Sequence, residues 1–217
     1  MKKQAGFTLI ELAIVLVIIG LLLGGVLKGQ ELINSAKVKN MASDFKSVQV
    51  YIYGYQDRFK ALPGDDHAAV AHLGVNAVAA ANGTQNGVIQ GLWNTATDAD
   101  ESCVFWNHVR LAGLAPGPTA VSCAANNTYQ PRNADGGLIG VQSASALVTI
   151  TGMTGAYAVC SDGILGRFAV QLDTTLDDGE TSTGSVRAVK SGVPGAGLTT
   201  AVVNGLPSDT YTVCLTF

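Results

Sequence analysis

The sequence predicts an α+β fold, with a long N-terminal α-helix packed against an antiparallel β-sheet head. Three observations carry this expectation. An apolar stretch of helical length runs over Phe7–Leu27. Apolar residues then recur at helical spacing as far as Phe59, with no proline before Pro63. From Gly137 onward the chain breaks into short apolar and β-branched runs.

The first element follows a short basic leader, Met1-Lys2-Lys3-Gln4-Ala5-Gly6. The apolar stretch that starts at Phe7 is interrupted only by Thr8 and Glu11. Its 21 residues make about 31 Å of helix, which matches a hydrocarbon core of about 30 Å. Lys2 and Lys3 keep the leader cytoplasmic by the positive-inside rule, so the rest of the chain is expected outside. An ordinary secretory signal places an Ala-x-Ala-like site after its apolar core. Here the core runs into Gly24-Gly25-Val26 and then Lys28-Gly29-Gln30-Glu31 without one. A plain single-span anchor leaves Glu11 unexplained, because an isolated carboxylate in a span is costly and usually functional.

Past the span, Val38, Met41, Phe45, Val48, Ile52, Tyr55 and Phe59 alternate at spacings of three and four. That is the stripe of an amphipathic helix. The helix is expected over 7–59, about 80 Å long, with its second half buried under the head. Ala61-Leu62-Pro63-Gly64-Asp65 ends it in a turn, and Asp65 or Asp66 can cap a short helix through Leu73. Residues 74–98 read as a surface loop. Glu101 to Ala112 reads as a helix stopped by Gly113. The runs at 138–142, 145–151, 156–160, 185–190, 199–203 and 210–217 read as strands. The expected organisation is a leader at 1–6, a helix at 7–59 whose 7–27 portion spans the membrane, and a head at 60–217.

Composition narrows the function. Only 13% of the 217 residues are charged, against about 25% in an average globular chain. Net charge is −3. Loss of Lys2 and Lys3 with the leader would leave 11 basic against 16 acidic side chains, or −5. Such a surface repels a phosphate backbone, so nucleic acid is not indicated as a partner. Cys103, Cys123, Cys160 and Cys214 contain no CxxC pair and so lack zinc spacing. An even number in an exported domain suggests two disulfides, with three connectivities open. Cys103–Cys123, closing a short loop, and Cys160–Cys214, tying the C-terminus to an interior strand, are favoured over buried thiols.

The string Gly6-Phe7-Thr8-Leu9-Ile10-Glu11-Leu12 resembles the type IV pilin precursor signature. The resemblance implies a type IV pilin-like fold and cleavage by a prepilin peptidase between Gly6 and Phe7. It also implies N-methylation of Phe7 and insertion in the inner membrane. An inner-membrane assembly platform would then polymerise the chain with copies of itself and other pilins, into an extracellular filament or a periplasmic pseudopilus. Glu11 becomes the fifth residue and would meet the N-terminus of a neighbouring subunit, setting register. Phe105-Trp106-Asn107-His108-Val109-Arg110-Leu111-Ala112-Gly113-Leu114 and Leu172-Asp173-Thr174-Thr175-Leu176-Asp177-Asp178-Gly179 resemble a subset of proteobacterial type IV pilin-like proteins. The chain departs from many pilins in having no mid-helix proline. Gly20, Gly24, Gly25 and Gly29 cluster there instead, and residues 20–29 are expected to unwind in the filament or to pack closely on other helices.

Asp173, Asp177, Asp178 and Glu180 place four carboxylates beside Gly179. Hard oxygen ligands at short spacing suit calcium, and some related pseudopilins bind it in a C-terminal loop. The spacing is not that of an EF-hand, and a solvated turn is the favoured reading, with no cofactor. Asp65, Asp66, His67 and His72 read as helix capping rather than a metal cluster, and His108 as structural. The sequons Asn82-Gly83-Thr84 and Asn126-Asn127-Thr128 carry little weight. No G-x-S-x-G, P-loop or HExxH is present, so the chain is not expected to be an enzyme. The leading expectation is a filament subunit. The alternatives are a type II secretion pseudopilin and, from another class, a membrane-tethered binding module or adhesin.

Overall fold

The computed structural model describes residues 8–80, 85–124 and 128–217. An α-helix, α1, runs unbroken over Leu9–Phe59. The chain divides into two compact units, one ending at Lys37 and the other spanning Val38–Phe217. The division falls within α1, so the second half of that helix belongs to the compact head.

In the head, α1 buries Val38, Met41, Ala42, Phe45, Val48, Ile52 and Tyr55. These are the stripe residues with Ala42 added, while Phe59 is only half-buried. Met41, Phe45 and Ile52 share one core with Val141, Val159, Val213, Phe105 and Leu172. Full burial of such a side chain contributes about 1.5–3 kcal/mol. Lys60, at φ 55, turns the chain out of the helix.

The sheet contains β1 (Ile139–Ser143), β3 (Tyr157–Leu165), β4 (Val186–Lys190) and β6 (Thr210–Thr216), in the order β1-β3-β6-β4. All three pairings are antiparallel. A long helix followed by a mostly antiparallel four-stranded sheet is the α+β architecture expected. A separate two-stranded pair joins β2 (Ile150–Thr151) to β5 (Gly195–Ala196) and is parallel.

Three expectations fail. The run at 145–151 yields a 3-10 turn over Ala144–Ala146 and only the two residues of β2. The run at 199–203 is helical, forming α5 (Thr200–Gly205). It buries Val203 completely, and it lies against Gly166, where a side chain would collide with the Val203 and Leu206 carbonyls. Tertiary packing there overrides the β propensity of Thr and Val. Gly166 itself opens α4 (Gly166–Leu176), a helix the strand pattern overlooked, which buries Phe168, Ala169 and Leu172. The Asp65 or Asp66 cap also fails. The short helix α2 (Ala69–Leu73) has Ala68 at its N-cap position and no side-chain cap.

α3 (Glu101–Leu111) ends as its sequence suggests. Gly113, at φ 74, donates its N–H to the Arg110 carbonyl at 3.0 Å, and Leu114 donates to Val109 at 2.9 Å. This pair of bonds is the Schellman arrangement, which a glycine adopts without the steric cost of a side chain. The described part of 74–98 has no strand and no helix, yet it is more than surface. Ile89 and Trp93 are buried. The Ile89 N–H donates to Ser143 Oγ at 2.8 Å, and the Trp93 N–H donates to Gln142 Oε1 at 2.9 Å. Polar side chains of β1 therefore take over the ladder bonds that this segment lacks.

Candidate functional site

The N-terminal unit presents its site in the open. Every residue from Leu9 to Leu27 is exposed, and Glu11 is the one ionisable group among them. α1 contains a stretch long and apolar enough to cross a membrane. An apolar surface of this extent is stable only against lipid or another protein. At Gly20, Gly24, Gly25 and Gly29 a side chain would meet nothing within 4 Å, so these positions leave room for another helix to approach closely.

Glu11 is held locally. Thr8 precedes the first helical residue, and its N–H and Oγ both donate to Glu11 Oε2 at 2.7 Å. The Glu11 N–H donates back to Thr8 Oγ at 3.3 Å. This reciprocal pair is a capping box, in which residues at the N-cap and three positions later satisfy each other's backbone donors. The signal Thr-x-x-Glu was present in the sequence, and Thr8 is the site residue it would have identified. Gly6 and Phe7 lie outside the described residues, as do Asn82, Asn126 and Asn127.

The four carboxylates of the 173–180 segment each hold backbone. Asp173, on α4 and fully buried, accepts the Gly179 N–H at 2.6 Å through Oδ1. Asp177 accepts from Ser185 at 2.5 Å and Val186 at 3.0 Å, and Asp178 accepts from Glu180 at 2.9 Å. Glu180 accepts from the Thr200 N–H at 2.8 Å and from Ser182 Oγ at 2.9 Å. Among the described residues, three ligand-type groups crowd together only at Asp98, Cys103 and Cys123, and there the two sulfurs are bonded to each other.

Burial pushes the Asp173 carboxyl up to about 6, against the Gly179 N–H that lowers it and with Asp178, Asp177 and Glu180 raising it further. Its folded pKa then lies above the unfolded value of 3.8. Between the two the native state binds the extra proton, so this group's contribution to stability is lost as pH rises through about 6. Asp173→Asn keeps the acceptor for Gly179 and removes the titration. Its stability relative to the wild type should increase by roughly 1–3 kcal/mol between pH 4 and pH 7, as read from urea unfolding at both values.

The acids and histidines near Pro63 do not gather either. Asp66 accepts the Tyr55 hydroxyl and pairs with His72 Nδ1, both at 2.7 Å. Asp65 instead turns to the Gly87 N–H at 2.6 Å. His108 is fully buried, accepts the Gly64 N–H at Nδ1 and faces the Val78 carbonyl from Nε2, at 2.9 and 2.6 Å. Burial lowers its pKa, and a neutral ring with the proton on Nε2 satisfies both contacts.

Residues 1–27 match the family model described as the prokaryotic N-terminal methylation motif. That match covers Gly6, Phe7 and Glu11 together with the exposed apolar helix. This is a type IV prepilin-like signature. None of the curated proteins and none of the solved structures compared with the chain matches it. The prepilin-like motif and the apolar helix support a type IV pilin-like or pseudopilin protein anchored in a membrane before assembly. Pilin-type proteins are structural rather than enzymatic, and the motif implies processing by prepilin peptidase and assembly with other pilins.

In this prepilin-like chain the cysteines form two disulfides. Cys103 on α3 joins Cys123 in the following loop, with Cα atoms 6.2 Å apart. Asp98 accepts the N–H groups of Cys123 and Ala124 and fixes that loop end. Cys160 and Cys214 face each other across β3 and β6, Cα atoms 4.1 Å apart.

Proposed function

We propose that this protein is a structural subunit of a type IV pilus-like filament, inserted in the inner membrane, cleaved after Gly6 and polymerised through its N-terminal helix. The carrying observation is the methylation motif on an exposed apolar helix whose one ionisable residue before Lys28 is Glu11. Transfer of Leu9–Leu27 from lipid to copies of the same helix drives assembly. In a core of packed helices the Glu11 carboxylate needs a cation, because a buried charge persists only when paired. The α-amine created at Phe7 supplies one from the neighbouring subunit and thereby fixes axial register. Prepilin peptidase, the assembly platform and other pilins are the expected partners.

The test is the mass of the native product. Loss of Met1 through Gly6 with one methyl group on the Phe7 amine is expected. Gly6→Ala should leave the leader attached and stop assembly. A native product that retains Met1–Gly6 overturns the reading. Electron microscopy of sheared cells then separates long surface filaments from a strictly periplasmic pseudopilus.

A further inference from the structure

α1 carries an unpaired acid in a cleft of the head. Asp44 is half-buried and makes no hydrogen bond or ion pair among the described residues. With Tyr51, Trp106, Pro116, Pro131 and Ile139 it lines a cleft of about 120 Å³. Burial raises its carboxyl to about 6, and no partner among the described residues offsets the desolvation. The nearby Arg110 guanidinium, 5.6 Å from the Trp106 ring, is engaged by the carbonyls of Pro116, Pro118 and Tyr129.

A carboxylate set among aromatic rings and prolines has a definite complement. An alkylammonium can lay its methylenes on the apolar wall and put its charge on the acid, close to the rings. The same helix offers that group on another side. Lys39 and Lys46 are exposed and make no ion pair among the described residues. At 100° per residue they point about 140–160° away from Asp44 around the helix axis. A lysine and an acid so placed cannot meet within one chain. Between copies they can, and a surface patch that meets a different patch on the next copy builds an open helical filament when its rotation does not close into a ring.

We propose that the Asp44 cleft receives the Lys39 or Lys46 side chain of a second copy of this chain. The inference rests on the filament reading above and supplies a contact in the head beyond the apolar helix. It predicts a pair only half shielded from water, which tunes assembly and its salt dependence rather than deciding it.

Assembled filaments of the full processed chain, sheared from cells and treated with a zero-length carbodiimide, test this directly. Co-assembling isotopically labelled and unlabelled subunits into the same filaments before the carbodiimide is added marks bonds between copies. An inter-copy amide joining Asp44 to Lys39 or Lys46 is expected by mass spectrometry. Inter-copy amides elsewhere with Asp44 unmodified would overturn this contact and leave the filament reading standing. Failure of the wild-type chain to form any filament would overturn that reading, and this contact with it. Asp44→Asn breaks no hydrogen bond or ion pair among the described residues and should fold normally. Its filament yield should fall about fivefold at low salt, with a smaller deficit in about 0.5 M salt. An unchanged yield at low salt would also sink the proposal.

Discussion

Glu11→Gln is expected to give a processed, membrane-inserted subunit that forms no normal filament. Glutamine at the third helical position can still reach back to the Thr8 N–H, so the capping box survives and the helix start is kept. Only the charge is lost. In the membrane that loss is favourable, since a carboxylate in hydrocarbon is costly. In the proposed filament it would leave the neighbour's Phe7 ammonium buried without its partner, at about 3–5 kcal/mol per subunit. That penalty lowers the assembly equilibrium by more than about a hundredfold. Glu11→Ala should fail to assemble as well and should also lose about 1 kcal/mol of helix capping. The measurement pairs sheared-filament yield with the N-terminal mass and the membrane-bound amount of each variant. Filaments of normal number and length from Glu11→Gln would remove the register role. In that case the capping bonds to Thr8 would be the whole function of this residue.

Legibility differed sharply between parts of the chain, for physical reasons. The long helix was plain, because apolar spacing of three and four over many turns has no competing explanation. Its buried stripe in the head matches that spacing from Val38 to Tyr55. The N-terminal signature was legible because a lone acid in a span is expensive and therefore informative. The C-terminal half was harder. Thr200–Gly205 has strand-like composition, and only the closeness of Gly166 to the Val203 carbonyl makes room for a helix there. Periodicity cannot register a contact made through sequence-distant backbone. α4 did carry a helical pattern, in Phe168, Ala169, Leu172 and Leu176, but the dense acids at its end drew the reading toward a turn. The buried segment around Ile89 and Trp93 was obscured for another reason. The N–H groups of Ile89 and Trp93 bond to side chains of β1 rather than to a strand ladder, so the segment has no strand pattern.

Removing the two disulfides separately should have unequal effects, the larger for Cys160–Cys214. The pair Cys103–Cys123 spans 20 residues and the pair Cys160–Cys214 spans 54. In the chain-entropy account these loops contribute about 3 and about 4 kcal/mol. Position widens the difference. Cys160 and Cys214 are fully buried and join β3 to β6, the two central strands of the order β1-β3-β6-β4. They share a small core with Trp93, Ile150 and Val189. Replacing both by alanine there opens a cavity between the middle strands, adding to the entropic loss. The Cys103–Cys123 loop keeps a second tether in Asp98, whose carboxylate holds the N–H groups of Cys123 and Ala124. Its double alanine variant should therefore lose about 3 kcal/mol or less. Chemical denaturation of the two double variants beside the wild type, in oxidising buffer, reads the difference. Equal losses would mean that the strand pair is held by its ladder and core alone. A greater loss for Cys103–Cys123 would make the link between α3 and its following loop the more important tether of the head.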